Sequence, residues 1–364
     1  MQEQDFIPGE YSTKIDSGRV GWESPSNIAL IKYWGKKENQ IPANPSLSYT
    51  LNNCKTTTLL EFQKKTTKSD NFEFDLYFEG KQKDSFKPKI QQFFERIAKY
   101  SPFLKDYTFK ISTENSFPHS SGIASSASGM SALALCVMSL EQKLNPEMNP
   151  EFFNRKASFL ARLGSGSACR SIEGPLIEWG KHKSLSGSND CYGIKYEEEV
   201  AEVFKSFQDT ILLVDKGQKQ VSSSVGHNLM HGHPYAQARF AQAHENLDQL
   251  KTVLASGNLQ DFMEIVESEA LSLHTMMMSS KPYFILMKPN TLEIINKIWA
   301  YRELTKTPVC FTLDAGANVH VLYPKKDAKK VLDFIKNKLI IYCEKEQYIC
   351  DRVGTGAVEL NLSK

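Results

Sequence analysis

No apolar run in this chain approaches the roughly 20 residues that a bilayer-spanning helix needs, so a helical membrane protein is not expected. Neither charge dominates: 44 Lys and Arg stand against 42 Asp and Glu, for a net charge of +2. Nothing in that balance argues for nucleic acid or a membrane surface as a partner. The seven cysteines (54, 136, 169, 191, 310, 343 and 350) are scattered, odd in number, and form no C-x-x-C pair. That usage fits reduced thiols in a cytoplasm better than a disulfide framework. Residues 1–17 are polar and carry Asp5, Glu10 and Asp16, unlike a secretory signal. The chain shows no internal repeat, no low-complexity tract, no P-loop Gly-Lys-Ser/Thr and no G-x-G-x-x-G.

What is present is a 364-residue chain with 41% hydrophobic and 24% charged residues, ordinary for a globular protein but too long for one core. Two lobes are expected, 1–187 and 188–364, divided by the Ser/Gly/Asn-rich stretch 182–190. Apolar periodicity predicts strands at 28–31, 46–63, 72–79, 107–111, 175–179, 210–214, 308–313 and 318–323, with two more short strands near the C-terminus. Helices are predicted at 86–100, 130–144, 151–163, 235–255, 258–278, 291–304 and 328–339. The polar stretch 64–71 reads as a hairpin or longer turn between the second and third strands. Strands and helices mixed without strict alternation point to an α+β fold.

Four clusters could carry chemistry. Asn27-Ile-Ala-Leu-Ile-Lys-Tyr-Trp-Gly-Lys36 sets Lys32, Tyr33, Trp34 and Lys36 where an apolar strand runs out. Lysines are rarely packed there without a partner for the charge, and an anionic ligand supplies one. Ser116 to Gly129 is a Ser/Gly-rich loop leading into an apolar helix, whose N-terminus offers unpaired N–H groups and a positive dipole end to a phosphate. Gly164-Ser-Gly-Ser-Ala-Cys-Arg-Ser171 ends small residues in an arginine, suited to fork a carboxylate or phosphate. Phe311-Thr-Leu-Asp-Ala-Gly316 places Asp314 at the end of a buried strand. Singly, each reads better as a capping loop, a turn or a surface arginine.

Together the four strings, in this order and spacing, resemble the diphosphomevalonate decarboxylase family of the GHMP kinase superfamily, over about residues 20–360. The resemblance implies two α+β lobes around a central cleft, with a left-handed βαβ unit in the ATP-binding N-terminal lobe. It implies ATP with Mg²⁺, and a substrate of mevalonate carrying a 5-diphosphate. The tertiary 3-hydroxyl would be phosphorylated, and the 3-phosphate would then leave with CO₂ to give isopentenyl diphosphate, a precursor of isoprenoids. Asp314 would accept the hydroxyl proton, Lys32 would keep it ionised, and Arg170 would clamp the substrate carboxylate. Tyr33, Lys36 and Ser222 or Ser223 would hold the 5-diphosphate, and Ser125, Ser126 and Ser167 would line the phosphoryl-transfer path. Ser120, Ser121, Gly122, Ala124, Ser125, Ser126 and Ser128 would form the nucleotide loop, with Ser125 also a Mg²⁺ contact. A cytoplasmic homodimer is the family's common state. Trp34 would pack the wall.

The chain departs from the family at His119-Ser120-Ser121, at Pro45, at Ala317 after Asp-Ala-Gly, and at Ser224, where some members carry an arginine. The alternatives are a 3-kinase that stops after phosphorylation, a decarboxylase of a monophosphate, or a binding protein without catalysis. His227, His231 and His233 have metal-like spacing but lack nearby carboxylates and read as structural. Met276 to Met278 read as core packing, and the lysines of 325–338 as a solvated helix face.

Overall fold

A computed structural model describes residues 1–67, 69–118, 123–216 and 223–362. The strands are β1 (Ser17–Ile31), β2 (Ser46–Lys64), β3 (Glu73–Phe78), β4 (Lys81–Gln82), β5 (Tyr107–Asn115), β6 (Leu176–Trp179), β7 (Ile194–Lys195), β8 (Gln208–Leu212), β9 (Cys310–Leu313), β10 (Val319–Tyr323), β11 (Tyr348–Arg352) and β12 (Val358–Glu359). The helices are α1 (Lys87–Ile97), α2 (Ser125–Leu144), α3 (Pro150–Gly164), α4 (Glu202–Lys205), α5 (Ser223–Asn228), α6 (Ala236–Ser256), α7 (Leu259–Met278), α8 (Pro289–Thr305) and α9 (Ala328–Phe334).

Among the described residues the strands form two sheets. The first runs β12-β1-β2-β5-β3-β4, with β6 on β2 and β7 on β6; the second runs β11-β8-β10-β9. Five layers follow. Helices α1 to α3 cover one face of the first sheet through Phe93, Phe94, Leu133, Val137, Phe159 and Leu160. Its other face (Ile28, Leu30, Leu47, Tyr49) meets Leu247 and Leu250 of α6, Phe262 and Val266 of α7, and the second sheet's Ile211 and Leu322 in one core. The far face of the second sheet (Phe311, Val319, Val321) packs on Ile294 and Ile298 of α8 and on Val331 and Phe334 of α9. Leu30 and Ile31 are both fully buried, each worth about 1.5–3 kcal/mol. That burial fixes where β1 delivers the residues after it.

The two halves are joined covalently and by polar contacts. Asp351 of β11 accepts backbone N–H bonds from Asn52 (2.9 Å), Asn53 (2.8 Å) and Cys54 (2.8 Å) of β2. The C-terminal strand β12 returns to pair with β1.

The structure corrects the sequence reading in three places. β2 and β3 are not a hairpin: β5 lies between them, antiparallel to β2 and parallel to β3. The connection from β3 to β5 is therefore a crossover through α1, giving a βαβ unit. Phe72 and Phe74 pack on Phe94 of α1, with ring centroids at 5.6 and 5.5 Å, tying β3 to its own helix. α2 starts at Ser125 rather than Met130, because the small residues 125–129 form its first turns against the sheet. β1 starts at Ser17, well before its apolar run.

Candidate active site

A cleft of about 950 Å³ gathers residues from all four sequence clusters: Lys32, Tyr33, Trp34 and Lys36 after β1, Ala124, Ser125 and Ser126 at the start of α2, Ser167 and Arg170, and Asp314. Each arrives at the end of a buried element. Lys32 follows Ile31 where β1 stops, Arg170 sits on the short helical turn Gly166–Ser171, and Asp314 follows Leu313 at the end of β9.

The inner end of the cleft is built around two buried cations. Lys32 is 1% exposed, and its Nζ has no hydrogen-bond partner among the described residues. Burial pushes its ammonium down to about 8, opposed most strongly by the charge of Asp314 and next by Glu269, while Arg170 adds to the lowering. Arg170 is 4% exposed, and its hydrogen bonds go to neutral oxygens: Ser46 Oγ at 2.5 Å and Asn27 Oδ1 at 3.3 Å from both Nε and Nη2. Its guanidinium lies 5.8 Å from the Trp179 ring. Burial pulls it below its ordinary value, with Asp314 among the groups that oppose this; an arginine stays charged regardless.

A second set of buried groups holds these in place. Glu269 of α7 accepts from the Lys32 backbone N–H at 2.7 Å, from Arg239 of α6 through both terminal nitrogens, and from Asn246 at 2.6 Å. Asn44 donates to the Lys32 carbonyl at 2.9 Å. His274 Nε2 donates to the Asp314 carbonyl at 3.1 Å, and burial lowers this imidazole to about 4, so it is neutral at physiological pH. Asp314 itself is half-buried with its carboxylate on the cleft.

The outer end is of another kind. Ala124 adopts the left-handed conformation (φ 45°), and no side chain among the described residues caps α2. Ser125 and Ser126, the first two residues of a 20-residue helix, line the cleft at its positive end. Lys83, Arg96 and the aromatic pair Phe78 and Phe86, 5.5 Å apart, line the same end. This arrangement suits the phosphates of a nucleotide.

Most of the expected residues thus converge. Ser128 does not: it is buried and shares a hydrogen bond of 2.6 Å with Thr56 of β2, because the fourth position of α2 faces the sheet. His119, Ser120, Ser121, Gly122 and Ser222 lie outside the described residues, and Ser223 opens α5. Trp34 packs the wall as expected, 4% exposed. Among the described residues no group of three His, Cys, Asp or Glu could hold a metal. His233 instead bonds the Met276 carbonyl at 3.1 Å. His227, read as structural, lines the cleft. Sequence reasoning also missed Asn27's contact with Arg170, Ser46, Glu269, Arg239 and His274. Glu269 and Arg239 sit on separate amphipathic helices with no local pattern to mark them.

Known proteins match this chain across both lobes. Residues 24–193 fit the diphosphomevalonate decarboxylase-like N-terminal domain and residues 210–361 the mevalonate 5-diphosphate decarboxylase C-terminal domain. A diphosphomevalonate decarboxylase of Aspergillus fumigatus is 30% identical over 340 residues, 87% of this chain and 80% of the fungal one. The chain belongs to the diphosphomevalonate decarboxylase family. The Candida albicans member is 27% identical over 86% of each chain. In structure, mevalonate diphosphate decarboxylase from Staphylococcus aureus superposes with a TM-score of 0.80 at 27% identity, covering 95% of this chain and 98% of that one. A complex designated MDDEF with MVAPP, AMPPCP and magnesium gives the same TM-score and identity, over 95% and 99%. The family fold, a GHMP kinase fold, is therefore the fold of this chain. No helix among the described residues is long and apolar enough to cross a membrane.

Proposed function

We propose that this protein catalyses the ATP-dependent decarboxylation of 5-diphosphomevalonate to isopentenyl diphosphate, in the cleft between lobes 1–187 and 188–364. The observation that carries this reading is the pair of buried cations, Lys32 and Arg170, beside Asp314. Among the described residues, Lys32 Nζ has no hydrogen-bond partner and Arg170 is held only by neutral groups. Two desolvated positive charges are costly to fold. They are explained by a bound ligand that brings a carboxylate and a developing phosphate.

Arg170, preset by Asn27 and Ser46, grips the substrate carboxylate in a fork and so fixes C1 relative to C3. Asp314 orients the 3-hydroxyl and takes its proton as the oxygen is phosphorylated. Lys32 balances the negative charge that gathers there. When the 3-phosphate departs with the C3–O electron pair, the C1–C2 pair becomes the C2–C3 double bond and C1 leaves as CO₂. Tyr33, Lys36, Ser167, Ser222 and Ser223 serve substrate binding, with Lys36 and Tyr33 toward the 5-diphosphate. The N–H groups and hydroxyls of Ser125 and Ser126 hold nucleotide phosphate, supported by Ser120, Ser121, Gly122 and Ala124, and Phe78 and Phe86 offer the base an aromatic wall. With no carboxylate cluster among the described residues, Mg²⁺ would be held by the nucleotide phosphates with the Ser125 hydroxyl, in keeping with that ion's habit of few protein ligands. It would neutralise charge on the transferring group.

A cytoplasmic location is supported by seven unpaired cysteines, five of them buried. A homodimer rests on the family resemblance and is checked by sedimentation. The functional test is incubation with ATP-Mg²⁺ and mevalonate bearing one or two 5-phosphates, with ADP and CO₂ measured together. CO₂ from the diphosphate is expected. ADP without CO₂ would mark a 3-kinase, and CO₂ from the monophosphate alone would change the substrate.

A further inference from the structure

His227 is buried, 9% exposed, yet lines the cleft from the C-terminal lobe. Its ring lies between two others, with centroids 4.2 Å from Tyr33 and 4.5 Å from Trp34. Two glycines make the fit. Gly35 (φ +92°) turns the chain so that its backbone N–H donates to His227 Nδ1 at 3.0 Å. A Cβ at Gly226 would come within 2.6 Å of the Trp34 ring, so only glycine lets α5 approach this closely.

The Gly35 bond settles the tautomer. An Nδ1 that accepts a backbone N–H carries no proton, so the neutral ring holds its proton on Nε2. Nε2 makes no hydrogen bond with the described residues, and it is the only polar atom the ring has left for the cleft. Burial, with Lys36 and then Arg170 adding to it, lowers the imidazole to about 3, so the ring stays neutral at physiological pH. Such a group can only donate, which suits a ligand oxygen.

The ring contacts say which oxygen. Arg170 lies over Trp179 at 5.8 Å, Trp179 meets Tyr33 at 4.7 Å, and Tyr33 meets His227. His227 is thus three aromatic contacts from the carboxylate clamp and on the side of Lys36, whose charge acts on it more strongly than that of Arg170. We propose that His227 is a substrate-binding residue, donating its Nε2–H to an oxygen of the 5-diphosphate beside Lys36. This rests on the functional reading above. It assigns the diphosphate end a neutral donor, supplied by the C-terminal lobe, in addition to the lysine.

The test is calorimetric titration of 5-diphosphomevalonate, without nucleotide, into the full chain and its variants. His227→Phe keeps an aromatic ring between Tyr33 and Trp34 but removes the donor. It should weaken binding about 10- to 100-fold, the scale of a hydrogen bond to a charged group. His227→Gln, which can present an N–H near the Nε2 position, should recover most of the affinity, and His227→Asn, whose amide falls short of it, should not. Competition by mevalonate without phosphate should differ less than about twofold among them. Wild-type affinity in His227→Phe, equal losses in Phe and Gln, or a loss equally large for unphosphorylated mevalonate would overturn the assignment. If the wild type neither binds the diphosphate nor releases CO₂ from it, the functional reading itself falls, and this assignment with it. Should His227→Phe fail to fold, the Gln and Asn pair decides by the same criterion.

Discussion

The two ends of the cleft are built on opposite plans. At the inner end Lys32 and Arg170 are buried side chains, each fixed by other buried groups: Glu269 and Asn44 hold the Lys32 backbone, and Ser46 and Asn27 hold Arg170. At the outer end the ligand-facing groups are backbone N–H, serine hydroxyls and partly exposed cations. The inner end therefore depends on side-chain identity and, in the proposed function, carries the chemistry. The outer end depends on backbone shape and tolerates changes of side chain. Substitutions at the two ends should differ accordingly.

The largest effect should come from Asp314→Asn. The change keeps the shape and the carbonyl bonds to His274 and Gly316 but removes the proton acceptor. A kcat loss of about 10²–10⁴ is expected, with an unchanged melting temperature, measured as CO₂ release at saturating substrates. More than half the wild-type rate in the variant would remove Asp314 from the reaction.

Next is the pH profile set by Lys32. In the proposed function its ammonium is needed in the free enzyme, and burial lowers it to about 8. kcat/KM should fall as pH rises through that value, about tenfold per unit beyond it, and Lys32→Arg should lose this basic limb because its charge persists. Stability should run the other way. Burial depresses the folded value below the ordinary 10.5, so the unfolded chain binds more protons between about 8 and 10.5. The cost of the buried charge is then present in full below about 8 and relieved as pH rises through that window. Lys32→Met should accordingly stabilise the protein more at pH 7 than at pH 10 in thermal melts, while abolishing turnover. A basic limb kept unchanged in Lys32→Arg would mean that another group sets it.

The smallest effect belongs to the outer end. Ser126→Ala removes a hydroxyl but leaves the α2 N–H groups and dipole, so the KM for ATP should rise only about two- to tenfold with kcat nearly unchanged. A loss as large as that of Asp314→Asn would erase the contrast between the two ends.

The same contrast governs what could be read from the sequence. Lys32, Arg170 and Asp314 were legible because each lies in a short contiguous string at the end of a strand or tight turn. Glu269 was not: its contact with Lys32 spans 237 positions in the chain, and a glutamate on an amphipathic helix looks like a solvated one. His227 was read as structural, and its place on the cleft was hidden because its partners Gly35, Tyr33 and Trp34 are distant in sequence. Ser128 shows the converse error, since a serine in a phosphate-loop string can still face the sheet. The mixed α+β class followed from the periodicities. The pairing of β3 with β5 did not, because the polar stretch between β2 and β3 carries no mark of which neighbour each strand will find.

The proposed role of the buried, neutrally held Arg170 is to receive the substrate carboxylate. It is tested by a cycle in which one change is Arg170→Gln and the other replaces the C1 carboxylate of 5-diphosphomevalonate by an alcohol, with affinity read by calorimetry in all four combinations. Each single change should cost about 2–5 kcal/mol. The double change should cost little more than either alone, leaving a coupling of about 2 kcal/mol or more. Additive losses, with no coupling, would contradict the account and send the carboxylate elsewhere in the cleft.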